Sequence, residues 1–196
     1  MNNGLNIMIL IGGRSKRMGS DKYLLTYKGT SALDLLLFKI KDLHHNKFIS
    51  VGADQKIEFD LQSGIAILRD RFPDKGPIGA LATWFNHFPT QAVMVIPCDL
   101  PLLSTELIQE LIAKRDEQAF ATLVQGEGFA YPEPLICIYE AKAAMTIQNC
   151  IENGQLSLQK MLADRDIKKV ITKDHQQLIN VNTQEDYQKI INSSQE

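Results

Sequence analysis

Short apolar runs alternate with helical signals along this chain, and that alternation limits the fold more than any other feature. Residues 7–11, 47–52, 65–68 and 92–96 have the length and character of buried strands. Thr30-Ser31 stands ahead of a helical stretch at 32–44, with Asp34 three residues past Ser31 as in a capping box. The turn at 74–79 opens a helix through Phe88, and Ser104 caps a helix to about Arg115 with Glu106 in its first turn. Strands separated by helices predict βαβ units on a mostly parallel sheet. Residues 92–96 form the most apolar run and are expected at its centre.

Further on, strands at 119–124 and 135–139 flank Gly126-Glu127-Gly128, where the chain turns back, so one strand should run antiparallel. Pro132 and Pro134 suit an edge or bulge. Helices at 141–153 and 158–163 follow, then a short strand at 169–172 and an extended piece at 178–181. Thr183 caps the last helix, with Asp186 three residues on. The expected architecture is a three-layer α/β/α domain over residues 1–196, with no internal repeat, low-complexity segment or linker.

The first strand runs into Leu10-Ile-Gly-Gly-Arg-Ser-Lys-Arg-Met-Gly-Ser-Asp-Lys22. Glycines admit close approach of backbone N–H groups to a ligand. Arg14, Lys16, Arg17 and Lys22 favour an anion. A phosphate-binding loop is the natural reading. It is not a P-loop, because no Gly-Lys-Ser/Thr closes it. It is not the dinucleotide fingerprint either, since the second and third glycines would fall at Arg14 and Arg17. A long basic loop suits a triphosphate that it can wrap.

Asp99 follows the run at 92–96, within Pro97-Cys98-Asp99-Leu100-Pro101. Open α/β sheets bind ligands at the C-terminal ends of their strands. A carboxylate there, opposite a triphosphate loop, is a natural Mg²⁺ ligand, although aspartate also commonly opens a turn. Asp70 follows the strand at 65–68 in the same way.

The pattern Leu-x-Gly-Gly-x-Ser-x-Arg-Met-Gly-x-Asp-Lys resembles the signature of the molybdenum cofactor guanylyltransferases, small nucleotidyltransferases with a Rossmann-like fold. Pro-Cys-Asp-x-Pro matches the stretch that carries the family's metal-binding aspartate, here Asp99. Asn180-Val-Asn182-Thr183 resembles the family's Asn-x-Asn-Thr motif near the metal and second substrate, making Asn180 and Asn182 candidate acceptor residues. Glu133-Pro134-Leu135 resembles the floor of the acceptor groove. The resemblance implies nucleotide contacts at Leu10, Ile11, Gly12, Gly13, Lys22, Gly52, Asp70, Gly76 and Asp99, catalysis by Arg17, Lys22 and Asp99, and Mg²⁺ as cofactor on Asp99.

In the implied reaction GMP passes from GTP to the phosphate of molybdopterin and pyrophosphate leaves. Transient contact with enzymes of cofactor biosynthesis or with acceptor enzymes belongs to the same expectation. The chain departs from the family pattern at Ile11 (usually alanine), Gly52 (often asparagine), Ala80 (glycine) and after Gly154, where Gln-Leu-Ser-Leu lacks the expected arginine. Those departures touch the base and the acceptor. They keep open a sister enzyme using CTP or a sugar phosphate, and a nucleotide-binding domain without catalysis.

Composition removes other classes. A net charge of −2 over 196 residues argues against nucleic-acid binding by bulk charge. No apolar run approaches the ~20 residues of a membrane span. The first residues, Met-Asn-Asn-Gly-Leu-Asn, lack the basic and apolar regions of a signal peptide. Cys98, Cys137 and Cys150 are odd in number and lack zinc spacing, as expected of reduced cysteines in a cytoplasmic protein.

Overall fold

The computed structural model describes residues 4–12, 21–57, 59 and 63–193. Nine strands occur among them: β1 (Leu5–Leu10), β2 (Thr26–Tyr27), β3 (Thr30–Ser31), β4 (Lys47–Val51), β5 (Ile65–Arg69), β6 (Ala92–Pro97), β7 (Ala121–Gly126), β8 (Cys137–Tyr139) and β9 (Ile167–Thr172). Six α-helices accompany them: α1 (Ala32–Ile40), α2 (Pro77–His87), α3 (Thr105–Ala113), α4 (Ala143–Glu152), α5 (Leu158–Leu162) and α6 (Gln184–Ser193).

Seven strands form one sheet in the order β5-β4-β1-β6-β8-β7-β9. β8 runs antiparallel to both β6 and β7, and the remaining pairs are parallel. The most apolar strand, β6, holds the fourth place of seven, and all six of its residues are buried. β2 and β3 pair separately as a small hairpin ahead of α1.

Period-two alternation sends strand side chains to two opposite cores. Ile7, Ile9, Ile49, Met94 and Ile96 pack with Leu33, Leu37 and Ile40 of α1 and Leu107, Ile108 and Leu111 of α3. Met8, Leu10, Val93, Val95, Leu123 and Tyr139 pack on the other face with Ile78, Leu81, Trp84 and Phe85 of α2, Ile147 of α4 and Met161 of α5. Both faces are covered, so the sheet is the middle of three layers and its strands read as nearly continuous apolar runs.

The helix starts follow the caps. The Ser31 hydroxyl accepts the Asp34 N–H at 3.0 Å, and the Ser104 hydroxyl accepts the Leu107 N–H at 3.1 Å. α1 stops at Ile40, short of the expected His44, where the Leu43 N–H closes a turn onto the Ile40 carbonyl. Of the extended piece expected at 178–181, Ile179 has extended backbone, with φ −78° and ψ 114°, while Leu178 belongs to a tight turn. A 3₁₀ turn occupies His175–Leu178, because the Asp174 carboxylate accepts the Gln176 N–H at 3.1 Å and tightens the chain there. Among the described residues no helix is long and apolar enough to cross a membrane.

Candidate active site

Parallel pairing delivers the segments after β1, β4, β5 and β6 to one edge of the sheet. Main-chain bonds continue the pairing past the strand ends. The Cys98 N–H donates to the Leu10 carbonyl at 3.2 Å, the Ile11 N–H to Ser50 at 3.1 Å, and the Asp70 N–H to Val51 at 2.9 Å. Gly12, the last described residue before the basic loop, sits so near the neighbouring backbone that a β-carbon would lie 3.2 Å from the Gly52 nitrogen. Glycine is needed there for close approach of two backbones. Ile11, bulkier than the usual alanine, is 5% exposed and packs into the core.

Lys22, Asp99 and Asn182 meet at this edge. The Lys22 Nζ donates to Asp99 Oδ2 at 2.8 Å and to Asn182 Oδ1 at 2.5 Å. Lys22 opens a single 3₁₀ turn, Lys22–Leu24, anchored by Tyr23, which is buried and meets Phe59 edge-on at 5.7 Å. Asn182 is held from both sides. The Val181 N–H bonds the Asp99 carbonyl at 2.9 Å, and the Asp186 carboxylate accepts the N–H groups of Asn182 and Thr183 at 3.1 and 2.9 Å. The second carboxylate oxygen of Asp99, Oδ1, is buried and has no hydrogen-bond partner among the described residues. The neighbouring Cys98 thiol is pushed up to about 12, by burial first and then by the Asp99 charge, so it stays protonated and is no nucleophile.

Asp70 shapes a second wall. Its Oδ1 accepts the Phe72 N–H at 2.8 Å and the Thr83 hydroxyl at 3.0 Å, while Thr83 Oγ1 accepts the Arg71 N–H at 2.9 Å. The loop then turns through Gly76, whose φ of 65° is the left-handed conformation glycine adopts without strain, into the first turn of α2. Gly79 is the tightest point: a β-carbon there would lie 2.8 Å from the Phe72 carbonyl oxygen. Ala80, which replaces the usual glycine, is buried in the core under α2.

Two contributors, Thr83 and Gln55, escape sequence reasoning. Thr83 is fully buried on the apolar face of α2, and a hydroxyl at such a position is the signal that marks it. Gln55 places its Oε1 2.9 Å from the Gly52 nitrogen and accepts that N–H, so the main-chain donor of Gly52, a residue expected to contact the nucleotide, already has a partner. Glu133, read only as part of a groove floor, is half-buried, and its carboxyl is held above the usual carboxylate range by burial and then by the Asp99 charge. Asn180 is half-buried beside Val181. Gly13, Arg14 and Arg17 lie outside the described residues.

Among the described residues no three His, Cys, Asp or Glu side chains assemble as a metal cage. A cation here would take few protein oxygens and complete its shell from the substrate, the habit of Mg²⁺ at phosphates.

Residues 7–173 match the model of the family described as MobA-like NTP transferase domain. The probable molybdenum cofactor guanylyltransferase of Flavobacterium johnsoniae is 34% identical over 160 residues, spanning 81% of this chain and 80% of that protein. The molybdenum cofactor guanylyltransferase of Polynucleobacter asymbioticus is 26% identical over 184 residues, spanning 91% and 92%. The solved structure of molybdopterin-guanine dinucleotide biosynthesis protein A from Archaeoglobus fulgidus superposes with a TM-score of 0.76 at 19% identity, covering 97% of this chain and 98% of that one. That last likeness is one of fold.

Proposed function

The chain belongs to the MobA-like NTP transferase domain family and is a nucleotidyltransferase; we propose that it transfers GMP from GTP to the phosphate of molybdopterin, forming the guanine dinucleotide form of the cofactor and releasing pyrophosphate. The observation that carries the reading is the convergence of Lys22, Asp99 and Asn182 at the sheet edge where the basic loop begins. The names of the relatives supply GTP and the acceptor.

Nucleotidyl transfer asks for position and charge neutralisation more than for covalent help. An oxygen of the acceptor phosphate attacks the α-phosphorus of GTP in line, the new P–O bond forms, and the bond to the β-phosphate oxygen breaks. Lys22 holds the transferred phosphate, exchanging its carboxylate partner for a phosphate oxygen. The backbone at Gly12 and Gly13 admits the triphosphate, and Arg17 neutralises the departing pyrophosphate. Asp70 and Gly76 fix the loop that walls the nucleotide side. Asn180 and Asn182 border the acceptor side.

Mg²⁺ fits the donors present. Asp99 Oδ1 is a buried oxygen with no proton donor among the described residues, and Asp99 Oδ2 and Asn182 Oδ1 already hold a cationic group between them. Asp99 and Asn182 would hold the ion, and bound there it supplies Lewis-acid neutralisation of phosphate charge. A cytoplasmic setting accords with the three free cysteines.

The test is a panel of GTP, CTP, ATP and UTP with Mg²⁺, offered with molybdopterin or with a sugar 1-phosphate and scored by pyrophosphate release. GTP with molybdopterin should give the largest kcat/KM. Preference for CTP, or turnover with the sugar phosphate alone, would overturn the assignment.

A further inference from the structure

Resting on the reading above, we propose that Gln55 selects the base of the nucleotide, its side-chain amide donating to the keto oxygen of guanine and rejecting bases that carry an amino group there. The strand order gives the base a direction. Lys22 and Asp99 meet beyond the paired ends of β1 and β6. Past β6 the next strand, β8, is antiparallel and enters the sheet at this edge. Past β1 the next two, β4 and β5, leave the sheet here, at Gly52 and Asp70, and open α/β sheets receive ligands beyond such ends. β4 lies one strand spacing, about 4.8 Å, from β1. Gly12 and Gly52 put no side chain over that gap, which leaves a shelf of backbone for a flat ring. Gln55 borders the shelf: a β-carbon on Gly52 would meet the Gln55 β-carbon at 3.5 Å.

The surrounding bonds fix which way the amide points. The Gln55 N–H donates to the Gly52 carbonyl at 3.1 Å and closes a tight turn. The Arg69 guanidinium clamps that turn to the end of β5, donating to the carbonyls of Gln55 at 3.0 Å and Ala53 at 3.4 Å. The Gly52 N–H can only donate, so the amide atom that meets it at 2.9 Å is the oxygen, and the free end is Nε2. Nε2 reaches the Ile11 carbonyl at 3.5 Å, the outer limit of a hydrogen bond, and has no other acceptor among the described residues. It carries two N–H groups, so one is left for a ligand. Guanine offers a keto oxygen to such a donor, whereas adenine and cytosine offer amino groups, which are donors themselves. Two donors face to face leave both unpaired, and that discriminates more strongly than one added bond attracts.

The experiment measures binding without an acceptor, so it is independent of the second substrate. The full chain with Mg²⁺ is titrated calorimetrically with GTP, ITP, ATP and CTP, as wild type, Gln55→Met and Gln55→Glu, and thermal melting checks that each variant is folded. ITP keeps the keto oxygen of GTP and lacks its amino group. The wild type should bind GTP and ITP alike, and ATP roughly tenfold or more weakly. Gln55→Met keeps the length of the side chain without the donor and should cut the preference for GTP over ATP roughly tenfold. Gln55→Glu puts an acceptor in its place and should cut the preference further. A preference for GTP that both variants retain removes Gln55 from base selection and leaves the GTP reading standing. ITP binding as weakly as ATP puts the discrimination at the amino group of guanine and overturns the proposal as well. A wild type that favours ATP or CTP over GTP overturns the GTP reading itself, and the role of Gln55 with it.

Discussion

The Val181 N–H donates to the Asp99 carbonyl at 2.9 Å, joining the segment ahead of the last helix to the turn after the central strand. One main-chain bond thus spans the distance between two motifs far apart in the sequence. It fixes Asn182 beside Asp99, and Lys22 then bridges both side chains. α6 is in turn docked by Tyr187, whose hydroxyl donates to the Thr26 carbonyl at 2.6 Å and whose ring meets Tyr27 edge-on at 5.5 Å. This edge of the sheet is therefore assembled from elements at the beginning, middle and end of the chain.

Removing either member of the central ion pair should cost far more activity than stability. Lys22 and Asp99 are both partly exposed, at 21% and 18%, and such pairs contribute little to folding. In the proposed reaction their charges count at the transferred phosphate. Lys22→Ala and Asp99→Asn should each lower kcat by roughly 10²-fold or more, with melting temperatures close to wild type. Steady-state pyrophosphate release on both variants checks this, and full activity in either would remove that residue from the mechanism.

The layers, the strand order around a central β6 and the capped helix starts were legible because each rests on local signals: run length, period and a capping side chain a few residues away. The meeting of Lys22 and Asp99 was legible too, since both follow strand ends that parallel pairing must bring to one edge. What stayed hidden depends on partners remote in sequence. Thr83 bonding Asp70, Gln55 covering the Gly52 N–H, and Arg115 pairing with Glu140 are set by how helices and turns dock, which no local pattern encodes. At Leu178 the side chain of Asp174 has already committed the chain to a 3₁₀ turn, so the extended backbone begins only at Ile179.

Arg115 and Glu140 form a two-pronged pair, Nε to Oε1 at 2.7 Å and Nη2 to Oε2 at 2.8 Å, with side chains only 10% and 7% exposed. The bond to Glu140 raises the Arg115 pKa further, so the guanidinium stays charged throughout. Leaving a buried charge alone costs about 3–5 kcal/mol, whereas replacing both members by apolar groups can be close to neutral. Arg115→Met should therefore destabilise by several kcal/mol, and Arg115→Met with Glu140→Leu by much less. Urea denaturation of both single variants and the double variant gives the coupling directly, and additive losses would show that the pair carries no such energy.

Gly79 is predicted to be intolerant of even one methyl group. An alanine β-carbon would lie 2.8 Å from the Phe72 carbonyl, 3.1 Å from the Lys75 β-carbon and 3.2 Å from Asp70 Oδ2. The nearest of these is backbone and cannot swing aside, so the 70–76 loop must shift. Overpacking of this kind costs roughly 1–3 kcal/mol. Because the displaced loop carries Asp70 and Gly76, the KM for the nucleotide should rise along with the loss of stability. Gly79→Ala assayed for both quantities tests the link. A destabilised variant with unchanged KM would show that the loop does not touch the nucleotide.

The cap of α6 should make the position of Asn182 sensitive to acid. The Asp186 carboxyl is held below its ordinary 3.8, first by the Asn182 N–H, then by Thr183, with the Lys189 charge adding to the effect. A carboxyl lowered in the folded state contributes stability that is complete above its unfolded value and disappears as pH falls through its folded one. Asp186→Ala should therefore melt below the wild type at neutral pH, and the gap should close as the pH drops below 3.8. The same variant frees the Asn182 N–H, so its turnover at neutral pH should fall even where the protein is fully folded. Melting curves across the acid range, paired with neutral-pH kinetics, separate the two effects. A melting gap that persists unchanged in acid would mean that the carboxylate is not what holds the cap.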